Sequence, residues 1–173
     1  MTCQTLRDLH LHVQLTDQGA DVEAIVPGIG RSIAVECKRP ASKAGMSDAV
    51  RRGRSQLNKR RQGGASHGIL AISIDRAVDF ARGQAMKASG PVIEHGAVKL
   101  TERWARDSYT AAILRGTPLG EEVSIVAVTL IGSAFSITDG IPYQVNRTAL
   151  VQNQVSAAAV SLGKRLTALQ RVA

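Results

Sequence analysis

The tightest constraint on this chain lies between Ala20 and Lys38, where two apolar runs flank Pro27-Gly28-Ile29-Gly30. The runs, from about Ala20 to Val26 and from about Arg31 to Lys38, are short and, in the second, rich in Ile and Val, which favours strands over helices. The residues between them form loops by composition. If that loop is centred between Gly28 and Ile29, opposed residues have numbers summing to 57, so Asp21 faces Glu36 and Glu23 faces Ala34. Opposed residues of an antiparallel pair project to one face with Cβ atoms about 5 Å apart. Period two adds Lys38 to the face of Glu36. A register slip of one residue breaks this convergence.

Two opposed carboxylates repel unless one is protonated or a cation lies between them. Oxygen donors suit a hard divalent ion, and Mg²⁺ commonly takes one or two carboxylates together with water and phosphate oxygens. Asp21, Glu36 and the backbone carbonyl of Cys37 are therefore the candidate ligands for Mg²⁺, or Mn²⁺ in its place. Such an ion polarises a phosphodiester and lowers the pKa of a bound water. Lys38, a compact charge beside it, suits the orientation of that water or the neutralisation of charge developing on phosphorus.

The charge distribution points the same way. Of the net +8, all is concentrated in residues 38–62, where nine basic side chains meet only Asp48. A field focused in this manner attracts a polyanion. Arg39, Arg52, Arg54, Lys59, Arg60 and Arg61 are the candidate nucleic-acid contacts, with DNA expected ahead of RNA. Aromatic residues are only 3% of the chain, which argues against the base-stacking platforms of single-strand binders.

Around the hairpin, Leu9, Leu11, Val13 and Leu15 alternate with His10, His12 and Gln14 as a half-buried strand does, with a turn from Thr16 to Gly19. From Met46 to about Arg61 the period becomes helical, with Met46, Val50, Gly53 and Leu57 within about 60° of one another. Gly53 in that stripe suits close packing of a helix on a sheet. Gly63-Gly64 ends the helix, and Ile69 to Ile74 reads as a buried strand. Beyond it we expect a helix capped by Asp75 through Ala85, a linker at Ser89-Gly90-Pro91 and a helix from Val98 to Leu114. A strand from Val123 to Ile131, an irregular return over 133–147 with room for another strand, and a helix from Val151 to Gln170 complete the chain. The expected organisation is one α/β domain over 1–173, with its core in 9–75 and an elaboration in 76–173.

Asp21, fourteen intervening residues and then Glu36-Cys37-Lys38 resembles the PD-(D/E)XK nuclease superfamily. The resemblance implies a restriction-endonuclease-like αβββαβ core, a central mixed sheet flanked by helices, matched here over about 9–75. It also implies that Asp21 and Glu36 bind Mg²⁺ while Lys38 assists phosphodiester hydrolysis, either endo- or exonucleolytic. Gln56-Leu57 is similar to the helix glutamine of the RecB-like and lambda-exonuclease-like branches, so Gln56 is a further catalytic candidate that orients water or phosphate. Three departures stand out: Ala20 replaces the motif's proline, Arg60 stands where those branches carry tyrosine, and no acid on a preceding helix is evident. Asp8 and Glu23 are the substitutes on offer. Oligomeric state is left open by the sequence, although cleavage of both strands of a duplex usually calls for two such sites, as a homodimer would supply.

Other residues carry blander readings. His10 and His12 fit a solvated strand face, and His67 and His95 have no partner at ligand spacing. Ser73 lacks the G-x-S-x-G surroundings of a hydrolase nucleophile. Gly116 to Gly120 lacks the Lys-Ser/Thr of a phosphate loop, and Trp104 and Tyr109 read as core or interface. Two cysteines make no disulfide framework, and Cys37 reads as a small buried strand residue. No run reaches the length of a membrane span, and Met1 to Asp8 lacks a signal peptide's regions, so a cytoplasmic protein with no membrane partner is expected. The rivals to a nuclease are a non-catalytic nucleic-acid-binding module and an enzyme acting on another anionic substrate.

Overall fold

The computed structural model describes residues 12–15, 22–25, 32–65, 67–80, 88–114, 119–153 and 157–170. Their strands form one mixed six-stranded sheet in chain order. Strands β1 (His12–Leu15), β2 (Val22–Ile25) and β3 (Ser32–Lys38) run as an antiparallel meander. Helix α1 (Met46–Gln62) then crosses to β4 (His67–Ser73), parallel to β3. Helix α2 (Gly90–Leu114) crosses to β5 (Ile125–Ser136), parallel to β4. β6 (Ile141–Gln152) returns antiparallel to β5, and helix α3 (Ala157–Gln170) follows. This is an α/β architecture.

The hairpin register is the one the loop composition predicts. Val22 pairs with Val35, Glu23 with Ala34, Ala24 with Ile33 and Ile25 with Ser32, each pair summing to 57. Asp21, one residue before β2, lies outside the described residues.

Parallel pairing then sets the faces. Glu36 is level with Leu70 and Lys38 with Ile72, so these four share one face of the sheet. On that face α1 buries Met46, Val50 and Leu57, and α2 buries Ile93, Ala97 and Trp104, in one cluster with Ala34, Leu70, Ile72, Val126 and Val128. Gly53 explains how α1 comes so close: a Cβ there would lie 2.3 Å from Leu70 Cδ1. The helix stops at Gly63, and Gly64 takes a φ of +105°, a conformation that costs a residue with a Cβ. The opposite face buries Ile33, Val35, Ile69 and Ile125.

Five expected features are revised. Ser89-Gly90-Pro91 is no linker: Ser89 accepts the Val92 and Ile93 amides, and α2 begins at Gly90 rather than Val98. The Gly90 amide is bonded by Asp139 Oδ2 at 2.8 Å, a cap supplied from 49 residues away. Residues 75–77 form a turn closed by the Ala77 and Val78 amides on Ile74, so the expected helix does not start at Asp75; Phe80 is helical, and 81–87 lie outside the described residues. The stretch 133–147 does hold another strand, but as half of a long regular hairpin rather than an irregular return, because β5 continues to Ser136 and pairs residue by residue with β6. β6 keeps Val151 and Gln152, so α3 begins at Ala157 rather than Val151. At that junction Asn153 Nδ2 bonds the carbonyls of Leu119, Gly120 and Val123, which fixes the loop entering β5.

Candidate active site

The carboxyl ends of the parallel strands β3 and β4 bring Lys38, Arg39, Ser73 and Asp75 together, as open α/β sheets generally place their ligand sites. Glu36, on β3, is fully buried. A carboxylate out of water is costly unless it is paired, and its neighbour on the same face supplies the pair. Lys38 Nζ donates to Glu36 Oε2 at 3.2 Å and to the Cys37 carbonyl at 3.1 Å. One ammonium group thus marks a point on which a carboxylate oxygen and a carbonyl oxygen converge.

Those two hard oxygens are the donor type a divalent ion such as Mg²⁺ takes, and an ion that keeps water in its shell needs few protein ligands. The residues present fit such an ion in that respect. No group of three His, Cys, Asp or Glu side chains capable of holding a metal occurs among the described residues. Asp21, the other carboxylate expected here, lies outside them.

Two clefts open on either side of the β3 terminus. One, of about 530 Å³, is bounded by Cys37, Lys38, Arg39 and Pro40 and by Ala49, Arg51, Arg52, Ser55 and Gln56 of α1. The other, of about 360 Å³, is bounded by the same Cys37, Lys38 and Arg39 and by Ala71, Ser73, Asp75 and Ile131. Gln56 therefore shares a cleft with Lys38, although the two lie on different elements. Cys37 is half-buried rather than buried, because the strand ends beside open space.

The basic residues separate into two groups. Arg39 and Arg52 line the first cleft, joined by Arg51. Arg54, Lys59, Arg60 and Arg61 line neither cleft. Arg54 turns to Glu122, and Arg61 Nη2 lies 2.7 Å from Glu121. Arg51 and Arg52 both reach Asp48, at 2.6 and 2.8 Å, and Lys43 reaches Asp107 at 3.0 Å. The positive segment is thus partly neutralised by acids brought in from other parts of the chain.

Sequence reading missed Asp75, taken there for a helix cap. Arg39 Nε donates to Asp75 Oδ1 at 3.0 Å, and Arg39 Nη2 bonds Asp75 Oδ2. Ser73 Oγ donates to the same Oδ1. The Arg39 bonds, aided by Ser73, hold the Asp75 carboxyl below the usual carboxylate range, and the bond to Asp75 raises Arg39 further. The available signal was topological: with β3 parallel to β4, residues just past each strand end lie side by side.

His67 Nδ1 lies 3.3 Å from Ser124 Oγ, His95 is exposed, and Trp104 belongs to the core. His10 lies outside the described residues, as do Asp8 and Cys3. No described helix is long and apolar enough to cross a membrane.

No family model matches the chain, and no curated protein does. Among solved structures the chain is similar to the crystal structure of the central domain of yeast acetyl-CoA carboxylase, at 14% identity and a TM-score of 0.33. That similarity takes in 90% of this chain but only 24% of the other.

Proposed function

We propose that this protein is a metal-dependent nuclease that hydrolyses phosphodiester bonds of DNA, with a restriction-endonuclease-like core. The observation that carries the reading is the fully buried Glu36 paired with Lys38, whose ammonium also bonds the Cys37 carbonyl and which lines a cleft with Arg51, Arg52 and Gln56. The strand-strand-strand-helix-strand order over 12–73 and the register that runs toward Asp21 support the PD-(D/E)XK resemblance.

In this reading Glu36, the Cys37 carbonyl and Asp21 would hold Mg²⁺ or Mn²⁺. When bound, such an ion supplies Lewis-acid activation of the phosphodiester and of a water. The protein's own groups do the rest. Arg52 and Arg51 draw the backbone phosphates into the cleft, Gln56 orients water or phosphate, and Lys38 neutralises charge on the phosphoryl oxygens. Contacts of this kind position a chain without reading its sequence.

Incubating the purified protein with linear, circular and single-stranded DNA and with RNA, in Mg²⁺, Mn²⁺ or EDTA, tests the assignment. Cleavage should require the metal and be lost in Glu36→Ala and Lys38→Ala. Cleavage that persists in EDTA or in both variants would overturn the site. Salt-sensitive binding without cleavage in any condition would mean a nucleic-acid-binding module instead.

A further inference from the structure

Lys38, Cys37 and Arg39 border both clefts, so the end of β3 is a ridge between two concave surfaces on opposite faces of the sheet. Any chain molecule that runs from one cleft to the other must cross it. Arg39 is the exposed cation of that ridge, with 58% of its side chain accessible. A long side chain in that position ordinarily keeps its rotamer freedom, and immobilising it costs entropy.

Here the guanidinium is fixed. It grips Asp75 through two of its nitrogens in fork geometry, and Ser73 Oγ also donates to Oδ1, one of the accepting oxygens. Asp75 is itself only 20% exposed. Buried Pro40 restricts the Arg39 backbone from the following position. The fork uses one edge of a group that carries five N–H donors, and planar guanidinium suits phosphate oxygens.

We infer that Asp75 is a positioning residue: with Ser73 it holds Arg39 on the ridge, where Arg39 takes a backbone phosphate of a nucleic acid passing between the clefts. This rests on the nucleic-acid reading of the site but not on hydrolysis. It identifies the ligand as a polymer that spans both clefts rather than a mononucleotide confined to one.

The sign of one substitution separates positioning from bulk charge. Removing a negative charge beside a polyanion site tightens binding if electrostatics alone acts. Removing a group that holds the phosphate-binding arginine loosens it. Binding of short fluorescein-labelled single-stranded and duplex DNA is measured by anisotropy in EDTA, with urea unfolding of each variant as a check on folding. Arg39→Ala is expected to weaken binding about tenfold and Asp75→Asn severalfold. The double variant should be no weaker than Arg39→Ala, and Ser73→Ala should show a smaller loss in the same direction. Asp75→Asn that binds as tightly as the native protein, or tighter, overturns the inference; if that variant does not fold, an unchanged Ser73→Ala does so. Native protein that binds no DNA defeats this inference and the nucleic-acid reading together. The expected pattern without cleavage in Mg²⁺ leaves the inference standing and defeats only the nuclease.

Discussion

Lys38 Nζ lies 3.2 Å from Glu36 Oε2, and the two side chains are 16% and 0% exposed. An alternating strand places them on one face, and the parallel partner β4 seals that face around Glu36 with Leu70. The pair is therefore both a structural element and the centre of the proposed chemistry.

Removing Lys38 takes the ammonium away from a buried carboxylate. Lys38→Met is expected to lower unfolding free energy by about 3 kcal/mol in urea titrations. Adding Glu36→Gln should recover most of it, since a neutral amide needs no counter-charge. A loss under about 0.5 kcal/mol for Lys38→Met would show that the pair behaves like an exposed one.

The same substitution has a consequence for metal binding. Without the ammonium, Lys38 no longer competes with an ion for Glu36 Oε2 and the Cys37 carbonyl. Mg²⁺ or Mn²⁺ should therefore raise the melting temperature of Lys38→Met more than that of the native protein, by linkage to ion binding. Equal shifts in both would place the ion elsewhere.

Two glycines predict different costs for one added methyl. At Gly53 the Cβ would meet a terminal methyl of Leu70, a side chain that can yield at a packing cost partly offset by better helix propensity. At Gly68 it would lie 2.0 Å from the Glu122 carbonyl oxygen, a backbone atom tied down by the loop. Gly53→Ala should cost about 1 kcal/mol and Gly68→Ala about 3 kcal/mol. Urea midpoints in the reverse order would contradict this packing.

Acid stability should depend on Asp139. Its carboxyl is held below the ordinary carboxylate range chiefly by the Gly90 amide, with Ser136 and Tyr143 adding to it. A depressed folded-state pKa gives stability that is present above the unfolded pKa of about 3.9 and lost as pH falls through the folded value. Asp139→Asn should therefore flatten the acid limb of the stability profile, read as the urea midpoint between about pH 6 and pH 2.

Acids that partner α1 should restrain nucleic-acid binding. Glu121→Gln, which releases Arg61, is expected to tighten DNA binding a fewfold and to steepen its salt dependence by up to about one unit. No change in slope would mean that the last turn of α1 stays clear of the polyanion.

The hairpin, α1 and β4 were legible because each is specified by residues close in sequence: alternation, a four-residue apolar stripe and a short apolar run. The register of β2 on β3 was legible for the same reason, since the loop centre fixes it. What escaped depends on distant contacts. Ser89-Gly90-Pro91 looks like a break, yet it begins a helix because Asp139 caps it and Tyr143 lies where a Gly90 Cβ would go. β6 shows little apolar alternation because it is an edge strand, with Val145 its one fully buried side chain. At the site, Glu36 and Lys38 were found from strand period, whereas Asp75 required knowing which strands are parallel. The compact basic segment is legible as sequence but not as a field, because Glu121, Glu122 and Asp107 reach it only in the folded chain.

The loop from Leu119 to Ser124 connects what sequence divides into core and elaboration. Asn153 binds its carbonyls, Ser124 N–H reaches the Gly68 carbonyl, and Glu122 meets Arg54 of α1. A fragment cut after Asp75 would lose the partner strand on one edge of β4 and the brace on the helix that walls the larger cleft. Shortening this protein after Asp75 is therefore not trimming, because the later half holds up the walls of the earlier one.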